Sequence, residues 1–151
     1  MKFTLSCLTL LSVVYAAAFP PAADRVVSAE VYMGGNHTSD HINKRTPGNV
    51  RLCTAVGFSG YCVTITGGTD GGCIDLAFDL DNLVSSFGPD PNQSCMVFNA
   101  HGCADSGPTP RWAGPIVFPG VRDLTQPFLS PNGHQNAAFN DLISSYSCTF
   151  F

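Results

Sequence analysis

Residues 81–86 read Asp81-Asn82-Leu83-Val84-Ser85-Ser86, and residues 140–145 read Asn140-Asp141-Leu142-Ile143-Ser144-Ser145. Both hexapeptides follow one pattern of two Asx residues, two aliphatic residues and two serines. Asx and Ser side chains favour turns because they bond to nearby backbone groups, and they carry oxygen atoms of the kind that hard cations bind. The repeated hexapeptide therefore predicts an internal duplication together with two clusters of oxygen donors.

Matching features surround the two hexapeptides in the same order. They are a cysteine, a glycine seven residues later, a Gly-x-x-Asp-Leu stretch and, after the hexapeptide, an aromatic residue. In the first half these are Cys53, Gly60, residues 72–76 and Phe87. In the second half they are Cys95, Gly102, residues 120–124 and Tyr146. This order predicts two copies of one unit, repeat one over residues 50–90 and repeat two over residues 94–151.

The residues between these landmarks predict an all-β domain. Residues 50–54, 61–66, 96–99, 116–118 and 143–150 are rich in β-branched and aromatic side chains, as strands are. Gly and Pro make up 22 of the 106 residues from 46 to 151, which suits many turns. Four strands in each half predict two Greek-key motifs packed as a sandwich.

The first 45 residues are expected to lie outside this domain. Residues 1–18 combine a charged start, a short apolar run and three alanines, which is typical of a signal peptide. Residues 19–45 are interpreted as a pro-segment because they end in the dibasic pair Lys44-Arg45, although an ordinary charged linker is the alternative. We therefore expect a secreted, extracellular protein with no membrane span and a folded domain over residues 46–151.

The charge of the domain excludes two classes of partner. It has three arginines, eight aspartates and neither lysine nor glutamate, so its net charge is −5. Nucleic acids and anionic membranes are bound through basic patches, which this composition disfavours. A bound cation, in contrast, is compatible with it.

Six cysteines of the domain predict three disulfide bonds, as in other short secreted chains. They are Cys53, Cys62, Cys73, Cys95, Cys103 and Cys148. Six cysteines allow fifteen pairings, and the sequence leaves all of them open.

The hexapeptide at the end of a paired Greek key resembles the calcium clamp of βγ-crystallin domains. Residues 58–60, Phe-Ser-Gly, resemble the aromatic-x-Gly corner of that family, whereas residues 100–102, Ala-His-Gly, keep only the glycine. The resemblance covers about residues 50–150. The cysteine-rich, secreted form is similar to small fungal and microbial members, some of which are killer toxins or protease inhibitors.

The resemblance implies that each repeat builds one calcium site and contributes to the other. The implied ligands are the hydroxyls of Ser85 and Ser144, the carbonyls of Leu83 and Leu142, and side-chain oxygens of Asp81, Asn82, Asn140 and Asp141. Carbonyls near residues 57–58 and Ala100 would complete the shells, and both aliphatic residues of each hexapeptide would anchor its turn. With about one carboxylate per site, weak binding of about 10⁻⁴ to 10⁻³ M is expected. The alternative is that each hexapeptide is only a folded corner.

The sequence indicates a binding protein rather than an enzyme. His101 and His134 are the only histidines of the domain, and no Gly-x-Ser-x-Gly motif accompanies them. Arg111-Trp112, in a Pro-rich stretch of repeat two, are interpreted either as a recognition tip or, for Trp112, as a plug in the core. We expect a secreted, calcium-binding, βγ-crystallin-like binding or effector protein whose target is an unknown extracellular protein or cell surface. A toxin-like or protease-inhibitor protein of the same fold is the alternative.

Overall fold

The computed structural model describes residues 48–66 and 71–151, together with the backbone of residues 25–28. The predicted signal peptide and most of the predicted pro-segment lie outside the described residues. The strands are β1 (Arg25–Ser28), β2 (Val50–Ala55), β3 (Ser59–Thr66), β4 (Cys73–Asp75), β5 (Ser86–Pro89), β6 (Gln93–Phe98), β7 (Trp112–Val117), β8 (Phe128–Leu129), β9 (Gln135–Asn136) and β10 (Ser145–Phe150). A 3₁₀ turn, His101–Cys103, is the one helical element of these residues, and none of their helices is long and apolar enough to cross a membrane.

Two four-stranded sheets make up the sandwich, and the repeats exchange strands between them. The sheet orders are β1-β3-β2-β5 and β4-β10-β6-β7. Strand β4 belongs to repeat one but pairs antiparallel with β10 of repeat two. In return, Val121 of repeat two forms a bridge with Phe87 in β5. The predicted pair of packed Greek keys is therefore confirmed, and each key completes the sheet of the other.

The core lies between the two sheets, with two aromatic rings at its centre. Phe87 and Tyr146, the residues that follow the two hexapeptides, have exposed fractions of 0% and 1%. Their rings meet edge to face, with centroids 5.5 Å apart and planes at 73°, a favourable arrangement for aromatic pairs. Alternate residues of β6 are buried around them, as the period of two in a strand requires.

Three disulfide bonds join the six cysteines of residues 48–66 and 71–151, as the cysteine count predicted. They join Cys53 to Cys62, Cys73 to Cys103 and Cys95 to Cys148. The first and third connect residues that stand directly opposite each other in adjacent antiparallel strands. The second connects β4 of repeat one to the 3₁₀ turn of repeat two. Strand register decides the pairing, which is why the sequence left it open.

The corner of the first hairpin corrects the predicted alignment of the repeats. Ser86 Oγ donates to the Ala55 carbonyl (2.8 Å), and Ser145 Oγ donates to the Ala100 carbonyl (2.5 Å). The same hydroxyls accept hydrogen bonds from the backbone N–H of residues 58 and 103. Residue 55 therefore corresponds to residue 100, an offset of 45, and the matches of Cys53 with Cys95 and of Gly60 with Gly102 were each wrong by three residues. The hydrogen-bonded corner, and not the cysteine spacing, shows which residues of the two repeats are equivalent.

Both corners use left-handed backbone, but they are closed by different side chains. The φ angles are 73° and 59° at Gly57 and Phe58, and 71° and 52° at Gly102 and Cys103. The Phe58 ring lies against Gly88, where an added Cβ would come within 2.9 Å of the ring. At the position equivalent to Phe58, Cys103 forms its disulfide bond. The corner of repeat one is thus packed by an aromatic ring, whereas the corner of repeat two is held by a disulfide bond.

A strand of the predicted pro-segment covers the edge of the first sheet. Strand β1 pairs parallel with β3, in a register that runs from Arg25 opposite Val63 to Ser28 opposite Thr66. Without β1, strand β3 would be an edge, and exposed edges invite pairing with other chains. No pattern in the sequence predicted the pairing of β1 with β3.

We expect Gly120→Ala to lower the free energy of unfolding by about 2–3 kcal/mol, because the new methyl group must displace backbone. An added Cβ would lie 2.3 Å from the Phe87 carbonyl oxygen, and φ at Gly120 is +92°. Gly133→Ala is the matched control, since φ there is +80° but nothing lies within 4 Å. Urea denaturation of both variants measures the difference. Equal losses would show that only the left-handed backbone matters.

Candidate functional site

The two hexapeptides form equivalent turns that contact each other between the repeats. The Asn82 N–H donates to the Ile143 carbonyl and the Asp141 N–H donates to the Val84 carbonyl, both at 3.0 Å. Asn82 and Asp141 occupy the same position of the pattern, and both have left-handed φ, 55° and 53°. These exchanged bonds bring the two predicted donor clusters into one region of the domain.

Each turn is held by its second aliphatic residue and its second serine. Val84 and Ile143 are both fully buried, and the hydroxyls of Ser86 and Ser145 close the hairpin corners. Leu83, in contrast, is 46% exposed. The expectation that both aliphatic residues anchor each turn is therefore wrong for Leu83, because Val84 alone supplies the inward side chain there. Leu142 is partly buried and packs against the core.

Each hexapeptide pairs its asparagine amide with its own carboxylate. Asn82 Nδ2 donates to Asp81 Oδ1 at 3.1 Å, and Asn140 Nδ2 donates to Asp141 Oδ2 at 2.6 Å. The amide oxygens are left for other partners. Within the part of the chain that the structure describes, Asn140 Oδ1 is buried without a hydrogen-bond partner. A buried acceptor of this kind carries a free-energy cost that a bound cation would remove.

The first serine of each hexapeptide donates a hydrogen bond to an oxygen of a distant segment. Ser144 Oγ lies 3.5 Å from Asn82 Oδ1, although the two residues are 62 positions apart. In the other turn Ser85 Oγ lies 3.1 Å from the Thr54 carbonyl oxygen. Calcium binds oxygens at about 2.3–2.6 Å, so neighbouring ligands of one ion lie about 3–4 Å apart. Both contacts are hydrogen bonds in this structure, and their oxygens are of the kind that the implied ion would take.

An unpredicted neighbour of the first turn is His101. Its Nε2 lies 3.5 Å from Asp81 Oδ2, and its Nδ1 lies 3.7 Å from Asp75 Oδ1. Asp75 Oδ1 also accepts the N–H of Gly102 at 2.5 Å. The sequence had no signal for this contact, since it forms only where the repeats meet. Among residues 48–66 and 71–151, no group of three His, Cys, Asp or Glu residues gathers to hold a metal ion.

A second candidate region lies where two long stretches of repeat two meet. The rings of Trp112 and His134 stack with centroids 5.5 Å apart and planes at 24°. They line a cavity of about 400 Å³ that is wide open to solvent, together with residues 109–111 and 135–137. Trp112 is 38% exposed. The interpretation of Trp112 as a plug in the core is therefore wrong, and the ring belongs to the surface.

Two packed Greek keys with paired hexapeptide turns are what the resemblance implied. The fold is βγ-crystallin-like. No protein-family model and no curated protein matches the chain. Among solved structures, a chain described as "Evolution of the eye lens beta-gamma-crystallin domain fold" is similar, at 25% identity and a TM-score of 0.47. That similarity covers 74% of this chain and 94% of the other. The assignment of the fold rests on the strand order of the two sheets and not on this similarity.

Proposed function

We propose that this crystallin-like domain is an extracellular, non-enzymatic binding protein whose fold is stabilised by calcium held at the paired hexapeptide turns. The proposal rests on Asn140 Oδ1, which belongs to the predicted ligand set. It is a buried acceptor that receives no hydrogen bond from the described residues. Three disulfide bonds support an oxidising, extracellular setting. The predicted signal peptide and the dibasic pair at residues 44–45 support secretion and processing.

The proposed ligands divide between two ions. Ser144 Oγ and Asn82 Oδ1 belong to one, and Ser85 Oγ with the Thr54 carbonyl belongs to the other. Asn140 supplies its unpartnered oxygen, and the carbonyls of Leu83 and Leu142 complete the proposed set. Asp81 and Asp141 supply the negative charge that neutralises the cation. Calcium bound here would connect the repeats and oppose unfolding by mass action.

We expect calorimetry to detect calcium binding at about 10⁻⁴ to 10⁻³ M. At ten times the dissociation constant, each bound calcium ion would add about 1.4 kcal/mol to the free energy of unfolding. Ser144→Ala and Ser85→Ala each remove one hydroxyl ligand and are expected to reduce the heat and the added stability. Ser106→Ala, which changes an exposed serine outside the hexapeptides, should leave both unchanged. The calcium proposal fails if millimolar calcium produces no heat, or if both ligand variants titrate like the unmodified protein.

The binding role is favoured by the cavity beside Trp112, which is built from stretches of repeat two that are longer than their counterparts in repeat one. The target is proposed to be an extracellular or cell-surface molecule. The toxin-like and protease-inhibitor alternatives stay predictions, since no contact among the described residues favours either of them.

A further inference from the structure

Two long stretches of repeat two come together around one cavity. The first, between residues 102 and 120, contributes Trp112, and the second, between residues 124 and 140, folds into the hairpin β8–β9 and contributes His134. The corresponding stretches of repeat one are shorter. The stacked rings of Trp112 and His134 connect the two stretches. The cavity therefore exists only through a feature that distinguishes the repeats.

Two asparagines hold the walls of this cavity in place. Asn99 Nδ2 donates to the carbonyls of Pro108 and Pro110, at 2.5 Å and 2.7 Å. Asn136 Oδ1 accepts the N–H of Gly114 at 2.9 Å in a buried contact. The hydrogen bonds tie the first stretch to the residue that follows β6 and the second stretch to β7. A site held in this way loses little conformational entropy when a ligand binds.

One polar group at the cavity has no partner. Asn136 lines the cavity and is only 3% exposed, and its Nδ2 is buried without an acceptor among the described residues. A buried N–H donor in this state is costly unless water or a ligand oxygen accepts from it. Asn136 Oδ1, the other polar atom of this amide, already accepts the N–H of Gly114. The Nδ2 donor therefore needs a different group as its acceptor.

The lining identifies the chemistry of the ligand. Thr109, Arg111, Gln135 and Asn136 supply hydrogen-bonding groups, whereas Trp112 and Pro110 supply apolar surface. The lining contains no carboxylate, which disfavours a cation. Its single arginine lies 4.0 Å from Asp105, so the site has no cluster of positive charge for a phosphate. A volume of about 400 Å³ falls in the range of small-ligand sites.

We propose that this cavity binds a carbohydrate. A sugar ring presents C–H groups that pack on an aromatic ring and hydroxyls that both donate and accept hydrogen bonds. The ring would pack against Trp112, and a hydroxyl would accept from Asn136 Nδ2 while others bond to Gln135 and Arg111. The inference rests on the proposed extracellular binding function, but not on calcium.

The test uses the intrinsic fluorescence of Trp112, the only tryptophan of the chain. The processed protein is titrated with neutral oligosaccharides of β-1,3-glucan, chitin and mannan, and with acidic oligogalacturonides, in calcium and again in a chelator. We expect a saturable change in emission with at least one sugar, and the neutral and acidic series distinguish the two kinds of glycan. Binding that persists in the chelator is expected, because no calcium ligand lines the cavity; loss of binding there would contradict this independence.

Variants separate the cavity from the rest of the surface. Calorimetry is expected to show binding weakened about tenfold or more in Trp112→Ala, as for aromatic residues at the centre of a site. Gln135→Ala, at an exposed polar position, should weaken it less. Phe118→Ala is the control, because this aromatic residue is 57% exposed and lies outside the cavity. The proposal is overturned if no sugar of either series binds at millimolar concentration, or if Trp112→Ala binds as tightly as Phe118→Ala does.

Discussion

Replacing Phe87 by alanine is expected to lower the free energy of unfolding by about 3–5 kcal/mol. The ring is fully buried and meets Tyr146 edge to face at the centre of the core. Its removal loses apolar burial and leaves a cavity between two sheets whose strands cannot close together without breaking their register. The backbone of Phe87 exchanges two hydrogen bonds with Val121, and those bonds survive the substitution. The decrease in the free energy of unfolding therefore measures the contribution of the Phe87 side chain.

Phe78→Ala provides the matched control, because Phe78 is 93% exposed. The same atoms are removed, but almost no burial is lost, so we expect a change within about 0.5 kcal/mol. Chemical denaturation of the two variants, monitored by far-ultraviolet circular dichroism, gives both values. If Phe87→Ala were no less stable than Phe78→Ala, the two-sheet core described above would be wrong.

Removing the Cys95–Cys148 disulfide is expected to have an effect of similar size, about 4 kcal/mol in the chain-entropy account. Its cysteines are 53 positions apart, so the bridge restrains a long segment of the unfolded chain. Both cysteines are almost completely buried, which makes alanine the suitable replacement. We expect the Cys95→Ala/Cys148→Ala double variant to fold but to unfold at much lower denaturant concentration.

The Cys53→Ala/Cys62→Ala double variant is the comparison, since that bridge also connects opposite residues of adjacent strands but spans only 9 positions. The chain-entropy account predicts a smaller loss, about 2.6 kcal/mol. The Cys73–Cys103 bridge, with a separation of 30, should fall between them. An order of losses that does not follow chain separation would contradict the entropic explanation, while leaving the pairing itself intact.

The duplication shows both the strength and the limit of sequence reasoning. The hexapeptides and the Gly-x-x-Asp-Leu stretches align as predicted: the Leu76 N–H bonds the Ser144 carbonyl, and the Leu124 N–H bonds the Ser85 carbonyl. The first hairpins, however, do not align as the cysteine spacing indicated. A cysteine is placed by its disulfide partner in a neighbouring strand, and that partner differs between the repeats. The left-handed corner at residues 57–58 and 102–103 would have been the better landmark.

The candidate sites show the same division. Oxygen donors could be recognised in the hexapeptides because turn chemistry is local. The approach of Ser144 Oγ to Asn82 Oδ1 and the contact of His101 with Asp81 could not, since each joins the two repeats. The cavity beside Trp112 could not be predicted from the sequence, for a similar reason. His134 stands 22 positions after Trp112 in an irregular stretch with no periodic pattern, and only the hairpin β8–β9 brings the rings together.

The sequence by itself determined the strand content, the duplication, the number of disulfide bonds in the domain and the oxygen-bearing side chains of the two turns. These follow from local propensity, repetition and composition, which neighbouring residues express without the rest of the chain. Only the tertiary structure decided the disulfide pairing, the exchange of β4 and Val121 between the sheets, the unpartnered oxygen of Asn140 and the cavity. These depend on how two sheets and two loops pack, and packing sets distances between residues that are far apart in the chain.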